Sequence, residues 1–221
     1  MDYEGKTVIV AGGSSGIGHA VAEEFLSQGS QDIYSFDIER PRTRLEHVLY
    51  RRVDVRNPRS IMRGLSSIRN PIDYLVNSAG VRENETLEGI RKMFDVNVNG
   101  AFYLFHLSEP KLSDDATIVQ VSSDLARSLP KQNLGYALSK LASYNVAKQF
   151  AVLHPEVRVK IALPGPIDTP LFRRGKTKEE ISHIKPRSPQ YLAERILKLI
   201  ESDKQELVCK NDVGIWTHEL Q

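Results

Sequence analysis

The sequence predicts an α/β fold, a doubly wound, mostly seven-stranded parallel sheet flanked by helices, in one unit over residues 1–221. Three observations predict it. Short apolar runs of strand length alternate with helix-patterned segments along the chain, as parallel strands joined by helical crossovers require. The 221 residues are 40% hydrophobic, enough to bury one sizeable core. A glycine-rich turn closes the first strand and opens the first helix.

The first strand is Thr7-Val8-Ile9-Val10-Ala11, and it runs into Gly12-Gly13-Ser14-Ser15-Gly16-Ile17-Gly18. Ala20, Val21, Ala22, Phe25 and Leu26 then recur at helical spacing, and Gly29 is placed to end that helix. Glycines in such a turn let the backbone approach a phosphate, while the free N–H groups and positive dipole at the helix start attract an anion. The spacing differs from the general G-x-G-x-x-G pattern, so taken alone it also fits an ordinary tight turn. A second strand-like run, Ile33-Tyr34-Ser35-Phe36, ends in Asp37. That carboxylate falls roughly 20 positions beyond the turn, where a dinucleotide fold places the acceptor for the adenosine ribose. A carboxylate repels a 2′-phosphate, so Asp37 points to NAD(H) over NADP(H), and the uncharged Ser15 and Ile38 agree. Arg40, Arg42 and Arg44 read as a solvated basic loop.

Further along, Tyr136 and Lys140 lie one helical turn apart at the head of an apolar, helix-patterned run, so phenol and ammonium project from the same face. A free phenol, with a pKa near ~10, is a poor acid or base at neutral pH. A cation held close is expected to lower that pKa toward the operating range. On spacing alone the pair also fits an ordinary surface contact.

With these residues in their order, the chain resembles the short-chain dehydrogenase/reductases, from about Lys6 to Lys210. The resemblance implies a Rossmann fold. It matches Gly12, Gly16 and Gly18 to the cofactor turn, with Ser14, Ser15 and Ile17 beside them. Asp54, after Arg52-Val53, matches the acidic residue that ends the third strand beside the adenine, and Val55 follows it. Asn77-Ser78-Ala79-Gly80, after a fourth strand from Ile72 to Val76, matches the family's Asn-Asn-Ala-Gly segment. Asn97 matches the helix asparagine of the catalytic tetrad. Ser123, at the end of a strand from Thr117 to Val121, matches the catalytic serine, with Ser122 its non-catalytic neighbour. Pro164-Gly165-Pro166-Ile167-Asp168-Thr169 matches the segment whose backbone and threonine hold the nicotinamide end.

The resemblance also implies the chemistry. Tyr136 moves the hydroxyl proton of a secondary alcohol or ketone. Lys140 tunes Tyr136 and bonds the nicotinamide ribose, Ser123 steadies charge on the substrate oxygen, and Asn97 holds a water linking Lys140 to solvent. A homo-oligomer, dimer or tetramer, is implied as well. Two other readings stand beside this one. An NADPH-dependent reductase of the oxoacyl type is opposed by Asp37, and a non-enzymatic dinucleotide sensor is opposed by the presence of both Tyr136 and Lys140. Three departures are visible: Ala11 replaces the usual Thr, Ser78 the second Asn, and the usual acidic-Gly-Gly ending is absent from Asn211-Asp212-Val213-Gly214, after a last strand from Glu206 to Lys210.

Between Thr169 and about Pro189 the family carries its substrate loop, and here residues 170–188 include Arg173, Arg174, Lys176, Lys178, Lys185 and Arg187. This basic run reads as a solvated, mobile lid, with recognition of an anionic substrate as the alternative. Val81, Arg82, Leu125 to Arg127 and Pro130 are the expected pocket walls. Asp2, Glu4 and Lys6 precede only a brief apolar run, which speaks against a signal peptide. No stretch approaches the ~18 apolar residues that would span a bilayer. Cys209 is the only cysteine, which excludes an internal disulfide and suits the cytoplasm, and the formal charge of +2 gives no reason to invoke nucleic acid. Nothing in the sequence calls for a metal.

Overall fold

Every residue of Thr7–Ala11 is fully or almost fully buried, and successive side chains of this strand enter two different cores. Val8 and Val10 pack with Val21, Phe25 and Ile196 on one face of the sheet, whereas Ile9 and Ala11 pack with Phe36, Phe105 and Phe150 on the other. A strand covered on both faces has no side for water, so it reads as a continuous apolar run.

The computed structural model describes residues 3–221 except Leu129, Val213 and Gly214, with the backbone alone for residues 211–212 and 215–216. Thr7–Ala11 (β1), Asp32–Asp37 (β2), Val48–Arg52 (β3), Ile72–Asn77 (β4), Leu112–Val121 (β5), Arg158–Leu163 (β6) and Glu206–Asp212 (β7) pair in parallel. Ile215–Leu220 (β8) adds an antiparallel edge, giving the order β3-β2-β1-β4-β5-β6-β7-β8. The seven parallel strands were expected; β8, and the extension of β7 past Lys210, were not. Val213 and Gly214 of the unusual C-terminal segment lie outside the described residues.

The helices are Gly16–Ser27 (α1), Pro58–Ser66 (α2), Leu87–Phe94 (α3), Gly100–Ser108 (α4), Leu134–Leu153 (α5), Pro170–Arg173 (α6), Lys178–Ile184 (α7) and Pro189–Glu201 (α8). None of the described helices is long and apolar enough to cross a membrane. Between α3 and α4, Asp95–Asn99 widens into a π-helical turn that carries Asn97, a local irregularity often found at functional sites. The chain leaves β1 toward β2 on one side and later places β4 on the other, so the strand order reverses between β1 and β4. In such sheets the ligand crevice lies beyond the carboxyl ends of the strands at this reversal.

The segment carrying α6 and α7 leaves and rejoins the body at a narrow neck. Ile167 bridges Arg187 in parallel, the Asp168 amide donates to Arg187 O at 2.8 Å, and the Arg187 amide donates to Pro166 O at 3.0 Å.

Candidate active site

A cleft of about 740 Å³ opens at the strand reversal. Its β1–β4 wall is mostly backbone. Gly12 has φ +77°, and a Cβ there would stand 2.7 Å from Ala79 N; a Cβ at Gly18 would stand 2.3 Å from Gly12 O. Both distances are shorter than any side chain tolerates, so only glycine lets turn and helix close up. Ser15 precedes α1 without making a side-chain cap, which leaves the first amides of the helix available to a ligand. Gly16 packs against Thr169, where a Cβ would stand 3.1 Å from the threonine methyl, and Thr169 in turn caps α6 by accepting from Phe172 N at 3.1 Å.

Asp37, at the end of β2, is held by the turn itself. Its Oδ2 accepts from the Ser14 amide at 3.1 Å and its Oδ1 from the Glu39 amide at 3.0 Å. Asp54 forms a two-pronged pair with Arg56, which donates from Nε at 2.9 Å and Nη2 at 2.7 Å and holds the carboxyl below its usual range. Of the sequence-derived cofactor residues, Gly12, Ser15, Gly16, Ile17, Asp37, Asp54, Val55, Ala79, Gly80, Pro164, Gly165, Ile167 and Thr169 line the cleft. Ser14, Gly18 and Asn77 do not; they stand behind the wall and shape it. The Ser14 hydroxyl donates to Glu39 O, and Asn77 donates to Gln120 Oε1 at 2.9 Å while accepting from Ala79 N at 3.3 Å.

The chemistry-bearing side chains meet on the other wall. Ser123 follows β5, and its hydroxyl donates to Asp124 Oδ1 at 3.0 Å and accepts from Leu125 N at 3.2 Å. Tyr136 is buried and lines the same cleft as Ser123. Lys140 Nζ donates to Val121 O at 3.1 Å and lies 5.9 Å from the Tyr136 ring centre. Asn97 is buried and does not line the cleft; its amide donates to Val81 O at 3.0 Å and Ser139 Oγ at 2.8 Å, and its Oδ1 accepts from Val81 N at 2.8 Å. It makes no direct hydrogen bond to Lys140 among the described residues. A Cβ on Gly80 would come 3.2 Å from Lys140 Nζ and 3.3 Å from Asn97 Oδ1, so both groups press against that glycine.

One expectation is corrected here. Burial pushes the Tyr136 phenol up to about 12, with the Asp124 charge adding to the rise and Arg82 and Ser123 opposing it. Burial also brings the Lys140 ammonium down to about 8. Lys140 therefore does not hold the phenol low, because the desolvation that penalises tyrosinate penalises the ammonium too.

The segment carrying α6 and α7 is folded and largely exposed, and two of its charges are paired. Arg173 pairs with Asp168 at 2.6 Å, and Arg174 pairs with Glu83 at 3.0 Å, a carboxylate that also takes Lys92 at 2.7 Å. Thr177 and Glu180 form a capping box at the start of α7. Arg82 reaches across from the opposite wall, donating to Leu171 O at 3.3 Å and Arg174 O at 3.2 Å. Of the expected pocket walls, Val81, Arg82 and Leu125 line the cleft, whereas Ala126, Arg127 and Pro130 do not. Arg127 turns away, pairing with Glu206 and lying over the Tyr144 ring. Asp124 is the residue that sequence reasoning missed. It lines the cleft beside Ser123, and burial holds its carboxyl above the usual range. The available signal was a lone acidic residue directly after the matched serine.

A family model described as short chain dehydrogenase matches residues 6–180. Over 186 residues the chain is 31% identical to L-fucose dehydrogenase of Mus musculus, covering 77% of this chain and 68% of that protein. The ligand-free structure of Thermoplasma acidophilum aldohexose dehydrogenase superposes with a TM-score of 0.80 at 29% identity, over 89% of this chain and 87% of that one. A short chain dehydrogenase from Burkholderia cenocepacia J2315, in complex with NADP, gives 0.83 at 26% identity, over 97% and 91%.

Proposed function

The chain belongs to the short-chain dehydrogenases, and from that membership we propose that it transfers a hydride between NAD(H) and a secondary alcohol or ketone, with Tyr136 giving and taking the proton. The observation that carries this reading is that Ser123 and Tyr136 line one cleft together, with Lys140 buried one turn further on.

The cleft suits a dinucleotide. Gly12 and Gly18 let the turn, the helix start and the Ala79 backbone close up at the cleft wall, and the uncapped amides at the start of α1 suit phosphates. Gly12, Ser15, Gly16 and Ile17 would hold the pyrophosphate, Asp37 the adenosine ribose, and Asp54 and Val55 the adenine edge. Ala79 and Gly80, with Pro164, Gly165, Ile167 and Thr169, would hold the nicotinamide end. When bound, the dinucleotide supplies or accepts the hydride. Asp37 favours NAD(H), because the Ser14 and Glu39 amides fix a carboxylate at the cleft wall where a 2′-phosphate would be repelled.

Ser123 meets the substrate oxygen and steadies its charge, and Tyr136 exchanges the proton at that oxygen. A phenol near 12 is protonated across the neutral range, which equips Tyr136 to donate to a carbonyl. Oxidation needs the phenolate, so its rate rises with pH. Two relatives act on sugars by name, L-fucose and aldohexose dehydrogenases, and this supports a hydroxyl-rich substrate. The deciding experiment compares kcat/KM with NAD(H) and NADP(H) over a panel of secondary alcohols and sugars. Preference for NAD(H), narrowed by Asp37→Ala, is expected; equal or better use of NADP(H) overturns the cofactor assignment, and no turnover with either overturns the reaction.

A further inference from the structure

Asp124 lines the cleft with one carboxylate oxygen uncommitted. The hydride-transfer scheme gives it no task, and it makes no ion pair among the described residues, unlike Asp54 with Arg56 or Lys92 with Glu83. Its Oδ1 is committed to two neutral donors, the Ser123 hydroxyl and the Leu125 amide. Its Oδ2 receives no hydrogen bond from another described residue. A partly buried carboxylate with an open oxygen is costly unless something donates to it. Its backbone is fixed as well, the Asp124 amide donating to Pro164 O at 3.0 Å on the segment that closes the far end of the cleft.

We propose that Asp124 is a specificity-determining residue whose open carboxylate oxygen accepts a hydrogen bond from a second substrate hydroxyl, next to the carbinol that reacts. The inference rests on the hydride-transfer reading for the place of the reacting oxygen. That oxygen must lie within hydrogen-bond reach of both Ser123 and Tyr136. Asp124 adjoins Ser123, accepts from its hydroxyl at 3.0 Å and lines the same cleft, so a group on the neighbouring carbon falls within its reach. The chemistry required is that of a donor: an O–H satisfies the open lone pairs, and an ether or a bare methylene leaves them unpaired. A hydrogen bond to a charged acceptor is among the stronger ones, and its loss reads as about a tenfold to hundredfold fall in selectivity. The site thereby takes polyhydroxylated alcohols ahead of simple ones.

The test measures kcat/KM with NAD⁺ for trans-1,2-cyclohexanediol, its monomethyl ether and cyclohexanol, in the wild-type protein and in Asp124→Asn and Asp124→Ala. The ether has the bulk of the diol without the second proton. Asp124→Asn is nearly isosteric and keeps an acceptor for the Leu125 amide. The expected result is a diol preference of about tenfold or more over the ether in the wild type, collapsing toward one in both variants. A ratio near one in the wild type overturns the proposal, and so does an equal loss on all three substrates, which would make Asp124 only a support for Ser123. If no alcohol is turned over, the hydride-transfer reading fails, and calorimetric titration of the NADH-loaded protein with diol and ether then decides. A diol preference in affinity that vanishes in Asp124→Asn upholds the role of Asp124, and its absence removes it.

Discussion

On the β1–β4 side of the cleft, atoms of the main chain touch with nothing between them, as the 2.3 Å from a Gly18 Cβ to Gly12 O and the 2.7 Å from a Gly12 Cβ to Ala79 N make plain. On the β5 side the wall is made of side chains: Ser123, Asp124, Tyr136 and Lys140 above the sheet, with Arg82 clasping the lid. The first side is set by shape and admits no added atom. The second is set by charge and burial, so an altered side chain can keep the fold while changing what the site does. Substitutions on the two sides should therefore fail in opposite ways.

Tyr136→Phe should show the largest effect and test the second side. Proton-transfer groups contribute about 10²–10⁴-fold, so kcat is expected to fall by that factor while NADH affinity stays within a few-fold. Retention of more than about a tenth of the activity would assign the proton to another group. Gly18→Ala should fail the other way. Its Cβ must displace the turn, at a cost of about 3 kcal/mol, so melting temperature and NADH affinity should drop together. If both were unchanged, the glycine turn would be more pliant than its contacts imply.

Arg82→Ala joins the two sides and should act in between. Losing its bonds to Leu171 O and Arg174 O should loosen the lid and raise KM by about tenfold. Its charge also helps hold the Tyr136 phenol down, so the pH profile of oxidation should move to higher pH. A change in KM with no movement of the profile would confine Arg82 to the lid.

The smallest effect lies away from the cleft. His218, on β8, is buried against Tyr191, and neither of its ring nitrogens has a hydrogen-bond partner. Burial, aided by Arg195 and Arg187, brings its pKa down to about 4. Unfolded chain takes up the proton near ~6.5, before the folded protein does, so the His218 contribution is fully present above that pH and is lost as pH falls toward about 4. Thermal melts across this window should fall less steeply for His218→Phe than for the wild type. Parallel curves would show that β8 opens before the imidazole is charged.

The same division governs what the sequence reveals. β1 announces itself because both of its faces are apolar, and the glycine turn because a main-chain collision leaves a residue type behind. β8 gives no such signal: Thr217, His218 and Glu219 alternate without an apolar run, and pairing with β7 alone makes them a strand. The raised phenol of Tyr136 was illegible because desolvation depends on everything packed around it. The pairing of Arg174 with Glu83 was illegible because the partners are remote in sequence. Asp124 was passed over because the matched motif ends at Ser123 and the expected wall resumes only at Leu125.

The neck at Ile167 and Arg187 makes the segment between them a cassette. Its two ends meet at one bridge, so its length and content can change without altering any register of the main sheet. Doubling such a loop adds only about 0.6 kcal/mol of closure entropy. Exchange at this single joint leaves the glycine turn, Tyr136 and Lys140 where they stand.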